Sequence, residues 1–236
     1  MLAIRIIPTL LQRGSTLVKG ERFNSWRSVG HALQAINIHQ ARGVDELIYL
    51  NIAATPEGRG PDFKMVKSLT RECFVPITVG GGVRSVEDVQ GLLNAGADKV
   101  AICTAGTLDF ILYISRKFGS QAIVVVVEHF TEINNLIPLW AVRLEDCGAG
   151  EILLQSKERD GTMQGYDLEL IRSVCNAVSI PVIASGGCSG YEDMYNAIQA
   201  GASAVAAGAL FQFTDATPKG AAEYLKARGI EVRIPA

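Results

Sequence analysis

The chain nearly repeats itself after about a hundred residues. PITVGGGVRSVEDVQGLLNAGADKVAI, from Pro76, aligns with PVIASGGCSGYEDMYNAIQAGASAVAA, from Pro181, with the proline, paired glycines, Glu-Asp and Ala-Gly-Ala in register. The same shift sets GVDELIYLN, from Gly43, on GAGEILLQS, from Gly148, so that Glu46 falls on Glu151. A unit this long exceeds a solenoid repeat and suits half of a closed barrel. Eight short apolar runs carry the strand signal: IRIIPT, ELIYLNI, PITVG, DKVAI, AIVVVVE, EILLQS, PVIAS and ASAVAAG. Several are almost unbroken in Val, Ile, Leu and Ala, as expected of parallel strands covered on both faces. Amphipathic stretches such as SVEDVQGLLNAG separate them. The expectation is α/β: a single (β/α)8 TIM barrel of two four-unit halves, filling residues 1–236 as one domain.

The totals agree. Of 236 residues, 48% are hydrophobic, enough for a large core. A net charge of −2 gives no electrostatic case for nucleic acid or an anionic membrane as partner. No apolar run approaches a membrane span, and MLAIRIIPTL lacks a signal peptide's layout. The five cysteines are odd in number and form no CxxC pair, so neither a disulfide framework nor a zinc site is expected, and a reducing cytoplasm is. His31 and His39 read as surface residues of a helical stretch, and with His129 remote from them no metal site is expected. No cofactor is implied.

In such a barrel, chemistry sits at the C-terminal ends of the strands. Gly80-Gly81-Gly82 ends the third predicted strand and Ser185-Gly186-Gly187 the seventh. One unit after each comes a turn of small residues, Cys103-Thr104-Ala105 and Gly208-Ala209-Leu210. Glycines let backbone N–H groups approach a phosphate, so two equivalent sites across the mouth would suit a ligand with a phosphate at each end. The plainer reading is glycine used for tight turns. Lys19 could reach an anion from the loop after the first strand, or be an ordinary solvated lysine. At the opposite end Arg5, Glu46, Lys99 and Glu151 begin the first, second, fourth and sixth predicted strands. Pointing inward, they must pair. They form either a structural plug or a charged gate over an apolar lumen that passes a small neutral molecule.

MLAIRIIP, LVKGERF, GVDELIYL, ITVGGGV, GADKV, FGSQAIVV, RDGTMQGYD and IPVIASGG together resemble the cyclase subunit of imidazole glycerol phosphate synthase along nearly the whole chain. The resemblance implies a glutaminase partner at the N-terminal face, ammonia passing through the barrel, and a ribonucleotide held by two phosphate sites. It implies that Arg5, Glu46, Lys99 and Glu151 are the gate. Lys19, Gly82, Thr104, Gly186 and Gly187 would belong to the phosphate regions, with Gly81, Gly208 and Ala209 beside them. Departures fall on the chemistry. Where the family pattern reads like PCLDV this chain has PTLLQ, so Leu11 stands for an essential aspartate. Glu128 stands for a second one, Asn51 for the aspartate after the second strand, and Gln155 for a threonine. Asp160, in ERDGT, is kept, and the loop after the fifth strand is cut short. Glu128 and Asp160 are the remaining candidate catalytic residues.

Ring formation with cleavage moves protons at two places, and losing one such group costs a factor of about 10²–10⁴. Leucine cannot replace it. The expectation is a HisF-like subunit that conducts ammonia with its cyclase activity weak or lost. It would serve amidino-sugar formation in surface-polysaccharide synthesis, with a sugar amidotransferase at the C-terminal face. The alternatives are a true cyclase of histidine biosynthesis with altered residues, and a non-catalytic activator of a glutaminase. An isomerase relative shares the duplication, but it too needs an aspartate where Leu11 stands.

Overall fold

Strand β1 (Arg5–Arg13) is buried along nearly its whole length and closes the sheet on itself by pairing in parallel with β4 (Leu47–Asn51) on one side and β10 (Ala204–Ala207) on the other. The structure, a computed structural model, describes residues 3–103, 107–129 and 136–234. Between those two neighbours β5 (Ile77–Gly80), β6 (Lys99–Cys103), β7 (Ile123–His129), β8 (Glu151–Ser156) and β9 (Val182–Ser185) continue the parallel order. The result is a closed barrel of eight parallel strands with helices outside, a (β/α)8 TIM barrel as expected.

The outer helices begin where the sequence supplies a cap. Asp62 accepts from Met65 N–H at the start of α2 (Phe63–Thr70), and Ser85 and Asp88 form a reciprocal capping box on α3 (Val86–Asn94). Thr107 caps α4 (Leu108–Phe118) and Asp167 caps α6 (Leu168–Cys175). The other long helices are α1 (Ala32–Ala41), α5 (Ile137–Asp146), α7 (Tyr191–Gln199) and α9 (Pro218–Ala227), with a short α8 (Ala209–Phe213).

The duplication is physical as well as textual. Leu47 N–H bonds Pro76 O at 2.9 Å, and Ile152 N–H bonds Pro181 O at 2.9 Å. Arg84 N–H bonds the Asp88 carboxylate at 2.9 Å, and Ser189 N–H bonds that of Asp193 at 2.8 Å. Both halves thus pin their strand starts and their third helix in the same way.

Strand alternation divides the apolar residues. One set, including Ile6, Leu10 and Ile102, packs between sheet and helices. The other, including Ile7, Ile48, Ala101, Val126, Leu153 and Ala206, fills the barrel interior. In β1 the odd residues face inward, so Arg5, Ile7, Thr9 and Leu11 rise in that order from floor to rim.

Two expectations need correction. The segment after the first strand is not a plain loop: β2 (Thr16–Glu21) and β3 (Asn24–Gly30) form an antiparallel hairpin extending the sheet from β1. Its turn holds Arg22 and Phe23 at positive φ, and Ser25 at the start of β3 shares that conformation, which non-glycine residues seldom adopt and which leaves no turn signature to read. And His39 is buried at 5% exposure, its ring edge-on to Phe211, while His31 is exposed and precedes α1.

Candidate functional site: a charged floor and an altered rim

At the N-terminal end of the barrel the four expected charges meet. Arg5 Nη1 lies 2.6 Å from Glu46 Oε2, and Arg5 Nη2 lies 3.0 Å from Glu151 Oε2. Lys99 Nζ lies 3.1 Å from Glu46 Oε1 and 2.8 Å from Glu151 Oε1. Each carboxylate therefore bridges both cations, and the ring is electrically neutral. Burial alone would lower the Arg5 guanidinium, but Glu151 and Glu46 outweigh it and hold it above its ordinary value. A fifth member was not foreseen: fully buried Thr78 donates its hydroxyl to Glu46 Oε1 at 2.8 Å. Its position two residues before Gly80, on the inward face of β5, was the only signal available.

Above this ring the interior is lined by small or branched apolar side chains. A charged ion is costly in such a space, whereas a small neutral molecule is not.

The rim at the C-terminal end is mostly uncharged. Leu11 is buried at 9% exposure and its Cα pairs with that of Leu50. Glu128, the last residue but one of β7, pairs beside Gln155 of β8. Burial raises its carboxyl above the ordinary range, and Lys157 partly offsets this. Gln155 accepts a 2.5 Å hydrogen bond from Ser185 Oγ, so β8 and β9 are joined by side chains at the mouth. Asn51 turns its side-chain oxygen to its own loop, accepting from Ala53 N–H at 3.2 Å.

Lys19 is not a solvated lysine. It is 3% exposed, and its Nζ lies 2.7 and 2.8 Å from the two carboxylate oxygens of Asp160. The pair joins the β2–β3 hairpin to the loop after β8. Arg22 N–H also bonds Asp160 O at 2.8 Å across the same seam. The space among Thr9, Lys19, Asp160, Ser185, Gly186 and Gly208 is about 10 Å³, close to the least that holds one water. In this arrangement the Lys19 ammonium is engaged by the Asp160 carboxylate.

The paired glycines lie where expected, at the ends of β5 and β9. Gly82 has φ +78° and a Cβ there would stand 2.6 Å from Arg59 O; Gly187 has φ +103° and its Cβ would stand 2.2 Å from Gly165 O. Each is required by a neighbouring loop that crosses it, whatever it binds. Gly81 and Gly186 stand beside them, and Gly208 and Ala209 lead into α8. Thr104 lies outside the described residues.

A family model described as histidine biosynthesis protein matches residues 5–217. Among curated proteins, the imidazole glycerol phosphate synthase subunit HisF of Dictyoglomus thermophilum is 42% identical over 251 residues, covering 99% of this chain and 100% of the relative. A duplicated barrel, a neutral ring of four charges at its floor and this end-to-end likeness agree, and the chain belongs to the histidine biosynthesis protein family, similar to HisF throughout its length.

Proposed function

We propose that this chain is the HisF-like subunit of a glutamine amidotransferase complex. It receives ammonia from a glutaminase at the barrel floor and conducts it to the rim. The nitrogen acceptor is an amidino-sugar precursor of surface polysaccharide, held with a sugar amidotransferase at the C-terminal face, rather than the imidazole ring. The observation that carries this reading is the contrast between the two ends. The floor retains Arg5, Glu46, Lys99 and Glu151 in mutual contact, while Leu11 stands at the rim where the family resemblance implies a proton-transfer group.

Residue by residue, the roles follow from position. Lys99 and Arg5 hold the two carboxylates, so passage requires a momentary opening of one ion pair rather than loss of a charge. The interior beyond admits NH3 and excludes NH4⁺ by desolvation. At the rim Glu128 is the inward carboxyl, able to take or give a proton. Asp160 is held in its pair with Lys19 and is less free to do so. The phosphate regions of Gly81, Gly82, Thr104, Gly186, Gly187, Gly208 and Ala209 would hold a phosphorylated ligand once Lys19 is released.

The second reading is a cyclase of histidine biosynthesis, favoured by the 42% identity to a HisF subunit and by the presence of Glu128 and Asp160. One assay separates them. The purified chain is given the ribonucleotide substrate of imidazole glycerol phosphate synthase and excess ammonium salt. The expected result is no imidazole product at a turnover of about 1 s⁻¹ or more, the lower end of ordinary enzyme rates. Product at that rate would establish the cyclase and end the delivery reading. In the complex, glutamine labelled in its amide nitrogen should pass its label to the sugar product.

A further inference from the structure

Among the described residues, the most exposed large apolar side chain is Phe74, at 84%. It lies in the short connection between α2 and β5, at the N-terminal face of the barrel. Loop residues of this kind usually carry polar side chains, and a solitary exposed leucine or isoleucine needs no explanation. Phe74 differs in being held out by its surroundings. Its backbone N–H donates to Gln40 Oε1 at 2.5 Å, and Gln40 Nε2 donates to Glu72 O at 2.8 Å. One side chain from α1 thus grips the loop on both sides of Cys73. Cys73 and Val75, the immediate neighbours, both pack against the core, so the ring between them faces outward.

The ring also sits next to the gate. Ile77 opens β5 opposite Leu47 of β4, the residue after Glu46, and Thr78 pairs with Lys99. Three residues of chain from Phe74 to Ile77 span about 10 Å at most, so Phe74 lies on the same face as the start of β5, whose second residue, Thr78, belongs to the ion-pair ring. The start of β5 is fixed further by Ile77 N–H donating to Asp98 Oδ2 at 2.8 Å. On the other side of β4, Ile4 bridges Val232, which brings the half-exposed Ile234 to the same face. Apolar groups therefore flank the strand that Glu46 leads into.

We propose that Phe74 is the aromatic anchor of the interface with the glutaminase, filling an apolar pocket on that partner's rim. This rests on the reading above, in which a glutaminase delivers ammonia at the floor. Three observations point to that occupant over a second copy of this chain. The similar D. thermophilum protein is by name a subunit of a synthase. The four gate charges compensate one another, so they supply little attraction, and the contact energy must come from apolar burial beside them. A copy of this barrel seated face to face would cover both gates and deliver nothing. A rigid aromatic loses little freedom on docking, and such residues dominate interface energetics.

The test uses the intact chain and the glutaminase that co-purifies with it from its own cells, identified by its hydrolysis of glutamine and then purified. Calorimetry gives Kd for the wild type, Phe74→Ala, Phe74→Leu and, as a control from another surface, Leu139→Ser on α5. Phe74→Ala should raise Kd about thirtyfold or more, Phe74→Leu less, and Leu139→Ser about twofold at most. At concentrations that saturate binding, Phe74→Ala should conduct ammonia as the wild type does, because the ring touches the partner and not the gate. An unchanged Kd in Phe74→Ala, with tight wild-type binding, overturns the anchor and leaves the partner in place. So does a loss confined to self-association. If no glutaminase binds the wild type, the anchor and the reading beneath it both fall.

Discussion

His39 lies on α1 with its imidazole buried and edge-on to Phe211, and its Nδ1 meets no hydrogen-bond partner among the described residues. Burial, with a smaller push from Arg42, lowers its pKa to about 4. The unfolded chain protonates this ring near 6.5, so between those values the unfolded state holds the extra proton and stability rises with pH. His39 thus contributes its full share above about pH 6.5 and loses it as pH falls toward 4. Chemical denaturation at pH 7.5 and pH 5 should differ by about 2 kcal/mol from this group alone. His39→Phe should remove that part of the slope; an unaltered slope would show that the ring titrates freely. Thr78 makes a second expectation at this scale. Thr78→Val keeps the shape but removes the donor to Glu46, and should cost about 1.5–3 kcal/mol, whereas Thr78→Ser keeps the hydroxyl and loses less of that. Residue identity was legible where the pattern was local, as for the glycines at positions 82 and 187. It was not legible where the partner was distant. Lys19 and Asp160 are 141 residues apart, and nothing in either segment names the other.

The elements show the same division. Strands of the barrel were readable because an unbroken apolar run has one economical place, between helices and lumen, and because each appears twice. The β2–β3 hairpin was missed. Its strands carry mixed polar residues and β3 is largely exposed, so no core face announces it, and its turn uses Arg22 and Phe23 where glycine or asparagine would have marked it. Tertiary contact fixes this hairpin instead: the Lys19–Asp160 pair and the backbone bond from Arg22 to Asp160 tie it to the loop after β8. Asp160→Asn leaves the Lys19 ammonium buried without a counter-charge and should cost about 3–5 kcal/mol. Amide exchange should accelerate through residues 16–30, a region whose opening is otherwise coupled to that latch. Lys19→Met with Asp160→Leu should recover most of the stability, since neither charge is then stranded. If exchange in the hairpin is the same in Asp160→Asn as in the wild type, the pair is not what holds it.

At the scale of the whole barrel, the apolar interior lies between the two ends, and the proposed role requires that route. Ala101, Ala204 and Ala206 are the small residues of that interior, set among Ile7, Ile48 and Leu153. Ala101→Leu would add bulk midway between the gate and the rim without touching either. Overpacking of this kind costs about 1–3 kcal/mol, so the variant should still fold and still bind its glutaminase. With amide-labelled glutamine, hydrolysis should continue while label in the acceptor falls to about a tenth or less, the remainder appearing as free ammonium. Excess unlabelled ammonium supplied at the rim should restore product, because that nitrogen need not cross the barrel. A variant that only activated its partner would behave otherwise: product would form from labelled glutamine as in the wild type, and ammonium would add nothing. The same pair of measurements on Lys99→Met, which removes one cation from the floor and leaves Glu46 and Glu151 sharing Arg5, should show leakage at the interface instead of blockage within. Obstruction by Ala101→Leu and leakage by Lys99→Met would together locate the path of nitrogen along the barrel axis, from the ion-pair ring past Ala101 to Leu11.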